Sequence, residues 1–99
     1  MKIEATRQFS NWLDGLKDVA GRVRILTRID RLSMGNPGQH RNLKGGISEL
    51  KLTIGPGYRI YYMQRNDTLI ILLCGGDKSS QANDIRKARR LASNLQEES

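Results

Sequence analysis

From Ser48 to Tyr62 the chain alternates apolar and polar residues on both sides of Gly55-Pro56-Gly57, a pattern that few folds can absorb. Leu50, Leu52 and Ile54 interleave with Glu49, Lys51 and Thr53; beyond the turn Tyr58, Ile60 and Tyr62 interleave with Arg59, Tyr61 and Met63. A period of two belongs to a strand with one buried face, so the stretch reads as a β-hairpin. Closed symmetrically about Pro56, its arms set Leu52 opposite Ile60, Thr53 opposite Arg59 and Lys51 opposite Tyr61. A one-residue slip would set apolar against polar, so the pattern fixes which face is buried. The other face then displays Lys51, Arg59 and Tyr61 together, two cations and a phenol suited to a phosphate ester.

The flanking sequence supplies the rest of a domain. Lys2 to Thr6 reads as a short strand. Phe9, Trp12, Leu13 and Leu16 fall at helical spacing, with Thr6 or Arg7 near the start. Val19, Val23, Leu26, Ile29 and Leu32 repeat that spacing up to Gly35, and Asn36-Pro37-Gly38 forbids continuation. Arg22, Arg24, Arg28 and Arg31 lie off this stripe and read as a solvated face. Gly35 to Ile47, rich in glycine, reads as a mobile basic loop carrying His40, Arg41 and Lys44. After a turn at Arg65-Asn66-Asp67, Thr68 to Cys74 is apolar almost throughout, as in a strand covered on both faces. Ser79 or Ser80 can cap a last helix whose stripe is Ile85, Ala88, Leu91, Ala92 and Leu95. The predicted order is strand, two helices, three strands, helix. This is a single α+β domain over residues 1–99, a small mainly antiparallel sheet packed against helices, and its uncovered face is the expected seat of function.

Seventeen Lys and Arg against ten Asp and Glu give a formal charge of +7, which suits a polyanionic partner such as nucleic acid. No apolar run reaches the roughly 18 residues of a membrane span. The first residues carry no secretory signal and the single cysteine fits a reducing compartment, so a cytoplasmic location without membrane attachment is expected. One His and one Cys do not make a zinc site, and neither a metal nor another cofactor is expected. Cys74, ending an apolar strand, reads as a core residue, and His40 on its loop as a surface residue. Gly75-Gly76-Asp77-Lys78 lacks the spacing of a nucleotide-binding Walker loop. What remains is the face bearing Lys51, Arg59 and Tyr61, with Lys78 delivered from the neighbouring strand. RNA can be cut there without a protein nucleophile, because a deprotonated ribose 2′-hydroxyl held in line attacks the adjacent phosphate while cations stabilise the developing charge. A lysine or Tyr61 could act as the base. The plain alternative makes Arg59 and Tyr61 ordinary exposed strand residues that stiffen the sheet.

Several blocks also resemble the HigB-like branch of the RelE/ParE toxin superfamily, described too as phage-derived addiction-module killer proteins. They are Phe9 to Leu13, Gly35-Asn36, Glu49-Leu50-Lys51, Gly55-Pro56-Gly57-Tyr58-Arg59-Ile60-Tyr61-Tyr62, and Leu72-Leu73-Cys74-Gly75-Gly76-Asp77-Lys78 with Gln81 and Asp84-Ile85. The resemblance implies a RelE-like fold of order β-α-α-β-β-β-α and a toxin of a type II toxin–antitoxin pair. RelE-like members cleave messenger RNA in the ribosomal A site, whereas ParE-like members poison DNA gyrase. On the RelE-like pattern Lys51, Arg59 and Lys78 occupy the functional basic positions; His40, Arg41 and Lys44, on the basic loop, are the residues expected to hold RNA. Glu49 stands where some relatives carry a second lysine. Asp84 lies near the place of a C-terminal catalytic tyrosine, either as a substitute proton acceptor or as a first-turn residue favoured by the helix dipole. Implied partners are the ribosome with its messenger RNA and a helix-turn-helix antitoxin, through which alone operator DNA would be met.

Overall fold

A computed structural model describes residues 1–97; the last two residues of the predicted domain lie outside that range. Strand β1 (Lys2–Ala5) leads into helices α1 (Arg7–Asp14) and α2 (Val19–Ser33). Strands β2 (His40–Leu43), β3 (Ile47–Lys51), β4 (Arg59–Arg65) and β5 (Leu69–Gly76) follow, then a 3₁₀ turn at Lys78–Ser80 and helix α3 (Gln81–Glu97). The α+β class holds, with a five-stranded mixed sheet of order β1-β5-β4-β3-β2. Only β1 against β5 is parallel.

One strand was not foreseen. The expected loop from Gly35 to Ile47 contains β2, paired with β3 so that His40 faces Leu50 and Leu43 faces Ile47. Its glycines disguised it: Gly38, Gly45 and Gly46 take φ of 66°, 90° and 75° and serve the turns on either side of the strand.

The predicted hairpin forms with the predicted faces but a different register. Lys51 pairs with Arg59 and Leu50 with Ile60, and Leu52 N donates to Tyr58 O at 3.0 Å. The loop therefore centres on Gly55, not Pro56. Gly55 and Gly57 both adopt positive φ, 51° and 78°, which makes the loop asymmetric about the proline. Because the shift is by two residues, the parity survives. Leu50, Leu52, Tyr58, Ile60 and Tyr62 pack with Phe9, Ile25, Ile29 and Leu32 under α1 and α2.

The opposite face is not open, contrary to expectation. Helix α3 covers it through Ala88 and Ala92, over Ile47, Tyr61, Met63, Ile71, Leu73 and Cys74. A register shift opposite Tyr61 and Tyr62 leaves Leu73 as the extra residue of β5. Beyond it the two glycines face opposite ways, Gly75 beneath the Trp12 ring and Gly76 against Asp84, where a Cβ on either would overlap its neighbour. Strand β5 thus runs on to Gly76 and brings Lys78 to the end of the hairpin. Asp77 caps the 3₁₀ turn that leads into α3, accepting from Ser79 N at 2.8 Å.

Helix α2 is rolled relative to its predicted stripe. Ile25, Ile29 and Leu32 are buried as a row, while Val19, Val23 and Leu26 face outward. Nor is Arg28 a solvated residue. Its guanidinium donates to Lys51 O at 2.8 Å, Pro37 O at 2.9 Å and Gln39 O at 2.8 Å, which fastens the segment before β2 to the end of β3.

Candidate functional site

At the Lys51 end of the sheet, beside the first residue of α3, a cleft of about 420 Å³ opens on the α3 side. Lys51, Arg59 and Lys78 line it together with His40, Arg41 and Glu49, and Gln39 and Gln81 complete the wall. The three cations read from the sequence therefore meet in one place.

The Gly55–Gly57 loop does the positioning. Arg59 Nη1 donates to Gly57 O at 2.7 Å and to Tyr58 O at 3.3 Å, so the side chain folds back under its own loop. Lys78 N donates to Pro56 O at 3.4 Å, tying the corner after β5 to the same loop. Glycine is favoured at 57 by its positive φ of 78°, and a Cβ there would also crowd Arg59 Nη1 at 3.2 Å. The loop is anchored on its far side as well: Tyr58 Oη donates to Asp18 Oδ2 at 2.8 Å, and Asp18 Oδ1 accepts from Gly21 N at 2.9 Å as the N-cap of α2.

Arg59 is the unusual member. It is only 4% exposed, its Nε is buried without an acceptor, and no carboxylate lies within ion-pair distance among the described residues. Asp77 feels its charge without touching it. A buried guanidinium is costly unless its charge is paired, so a cleft wall that holds one without a carboxylate partner is preorganised for an anion. Lys51 and Lys78, neither of them in an ion pair among the described residues, add to that field.

Glu49 lies on the strand face expected to be open, yet it is 1% exposed. Its Oε1 accepts from Arg41 Nε at 2.8 Å and its Oε2 from Gln81 Nε2 at 3.0 Å, so strand β2, strand β3 and helix α3 meet on one carboxylate. Burial pushes that carboxyl upward, but the bonds from Arg41 and Gln81 and the Arg41 charge outweigh it and hold the group below the usual carboxylate range. Tyr61 lies beneath, fully buried, not displayed as expected. Its hydroxyl makes no well-formed hydrogen bond, although the Glu49 carboxylate is near enough to act on it. Burial first, and the Glu49 charge next, push the phenol far above its ordinary value, so Tyr61 is a poor proton acceptor.

The other candidates scatter. Asp84 is buried in the first turn of α3, accepts from Ser80 Oγ at 2.5 Å and does not line the cleft. Lys44 sits in the turn at the far end of β2 and β3, where its carbonyl accepts from Arg89 Nε at 2.8 Å, well away from Lys51. His40 stands at the rim, bordering this cleft and a smaller one on the α2 side, and its Nδ1 donates to Gly38 O at 2.8 Å. Gln39, Glu49 and Gln81 are the lining residues that sequence reasoning did not select. The signal for Glu49 was present, since it shares the parity of Lys51.

Among the described residues no group of three or more His, Cys, Asp or Glu could hold a metal ion, and no helix is long and apolar enough to cross a membrane. The model of the family described as "Phage derived protein Gp49-like (DUF891)" matches residues 11–95. A protein of Haemophilus influenzae, strain ATCC 51907 / DSM 11121 / KW20 / Rd, described as "Uncharacterized protein", is 44% identical over 95 residues, covering 96% of this chain and 96% of its own.

Proposed function

The chain belongs to the phage-derived Gp49-like family, and from that premise we propose that it is the toxin of a type II toxin–antitoxin pair, a RelE/ParE-like protein that cuts messenger RNA on the ribosome. The observation that carries the proposal is the buried Arg59, without a carboxylate partner among the described residues, in one cleft with Lys51 and Lys78. A nucleic-acid phosphate would give that guanidinium the counter-charge it lacks, at a cation the fold has already largely desolvated.

In this reading the ribose 2′-oxygen attacks the adjacent phosphorus, the bond to the 5′-oxygen of the next nucleotide breaks, and a 2′,3′-cyclic phosphate results while the leaving 5′-oxygen takes a proton from water to become a free 5′-hydroxyl. Arg59 holds the non-bridging oxygens, and Lys51 and Lys78 stabilise the phosphorane charge as it grows. The 2′ proton needs an acceptor. Both oxygens of Glu49 are engaged by Arg41 and Gln81, Tyr61 and Asp84 are buried off the cleft, and Lys51 and Lys78 serve the phosphorane, so we assign the role to His40 at the rim. Glu49 then acts as the brace that keeps Arg41 and Gln81 on the wall.

The test is incubation with translating ribosomes and mapping of new 5′ ends. Wild type should cut, and Arg59→Ala or Lys78→Ala should each cut about 10²–10³-fold less. Undiminished cutting by a folded Arg59→Ala variant would remove the site. Inhibition of gyrase supercoiling without RNA ends would favour the ParE-like activity instead.

A further inference from the structure

Helix α2 buries Ile25, Ile29 and Leu32 against the sheet and exposes a second apolar row on its other side. Val19 is 63%, Val23 57% and Leu26 49% exposed. Their spacing of four and then three residues makes one ridge, about 10 Å long at 1.5 Å per residue. Beside it, between α2 and the Leu52–Ile54 segment, runs a groove of about 430 Å³ that shares Val23 with the ridge and has Leu52 and Ile54 on its other wall. Arg24 and Arg31 line the same groove, and neither has a carboxylate within ion-pair distance among the described residues. Arg28 is held at its base by three carbonyls and adds a third positive charge.

An apolar ridge costs solubility when it is left in water, and scattered single exposures would need no explanation, but this one is contiguous and continuous with a groove. We propose that α2 and the groove beside it are a docking surface for an amphipathic helix of another protein, one whose apolar row carries Asp or Glu along one flank. The apolar row would lie on Val19, Val23 and Leu26, and the acidic flank would pair with Arg24 and Arg31. Charge selects this occupant over the others. A second copy of the chain, itself at +7, would bring the same arginines face to face across a two-fold contact. Nucleic acid would satisfy the arginines and leave the valines and Leu26 wet. The surface packs on the sheet face opposite the cationic cleft, so this inference does not rest on the nuclease reading.

The test selects a phage-displayed library of helical peptides on the intact protein. Enriched peptides should combine an apolar row at i, i+4 and i+7 with an acidic flank. Their binding should weaken at least about tenfold on Val23→Glu, and charge reversal in Arg24→Glu/Arg31→Glu should shift the preference to a basic flank. Position 23 is exposed, so the variant's circular dichroism should match wild type. The proposal is overturned if enriched peptides bind Val23→Glu equally well, if they are not acidic, if nothing is enriched over the Val23→Glu control, or if sedimentation shows a dimer that Val23→Glu abolishes.

Discussion

Replacing Arg59 with leucine should separate fold from activity. In the folded chain the guanidinium is 4% exposed, Nη1 donates to Gly57 O and Tyr58 O, and Nε has no acceptor. Leucine deletes the two bonds, worth about 1 kcal/mol each, and also removes an unsatisfied buried donor that costs about 1–3 kcal/mol. The terms nearly cancel. The unfolding free energy should therefore change by no more than about 1 kcal/mol in either direction, which for a chain of this size is about 4–8 °C in Tm. Urea unfolding followed through the single tryptophan, Trp12, measures it, and cleavage on translating ribosomes measures the other side, where the loss should be about 10²–10³-fold. A loss above about 3 kcal/mol, the scale of breaking a buried ion pair, would make Arg59 a structural strut with a hidden partner and refute the reasoning. Full activity in the leucine variant would refute it from the opposite direction.

Other expectations follow from the same contacts. Glu49 has its folded carboxyl held below its ordinary value of 4.5, so the stability it contributes is complete above that pH and is lost as the pH falls through the lower, folded value. The difference in urea midpoint between wild type and Glu49→Gln should accordingly be constant near neutrality and shrink in acid; a difference that grew in acid would contradict the sign. Gly75→Ala would drive a methyl group into the Trp12 ring and should cost about 1–3 kcal/mol with a shifted fluorescence maximum, whereas an unchanged spectrum would mean that the ring does not lie on the strand. Burial pushes the Cys74 thiol up to about 11, so iodoacetamide at pH 8 should label it only on unfolding. Rapid labelling of the native protein would place that thiol outside the core.

Alternation alone made the faces of the hairpin legible, because period two survives any even shift. It could not give the register: whether Lys51 meets Tyr61 or Arg59 depends on a loop conformation set by two positive-φ glycines around a proline. Likewise the helical stripe of α2 was ambiguous, since Val19, Val23 and Leu26 and the row Ile25, Ile29 and Leu32 are both apolar at helical spacing. Only packing against the sheet chose between them, and the rejected row became the exposed ridge. The meeting of Lys51, Arg59 and Lys78 was foreseen from strand adjacency. That Arg59 would be buried was not, because burial depends on how the Gly55–Gly57 loop folds against the side chain.

The most direct measurement is the chemistry of the RNA ends. Fragments released from translating ribosomes, treated or not with a phosphatase that opens cyclic phosphates and then labelled at both ends, report which bond was broken and by what. Attack by the 2′-hydroxyl in the cationic cleft requires 2′,3′-cyclic phosphates upstream and 5′-hydroxyls downstream, both lost in Arg59→Leu. Upstream 3′-hydroxyls with downstream 5′-phosphates, or ends that persist in Arg59→Leu, would contradict it.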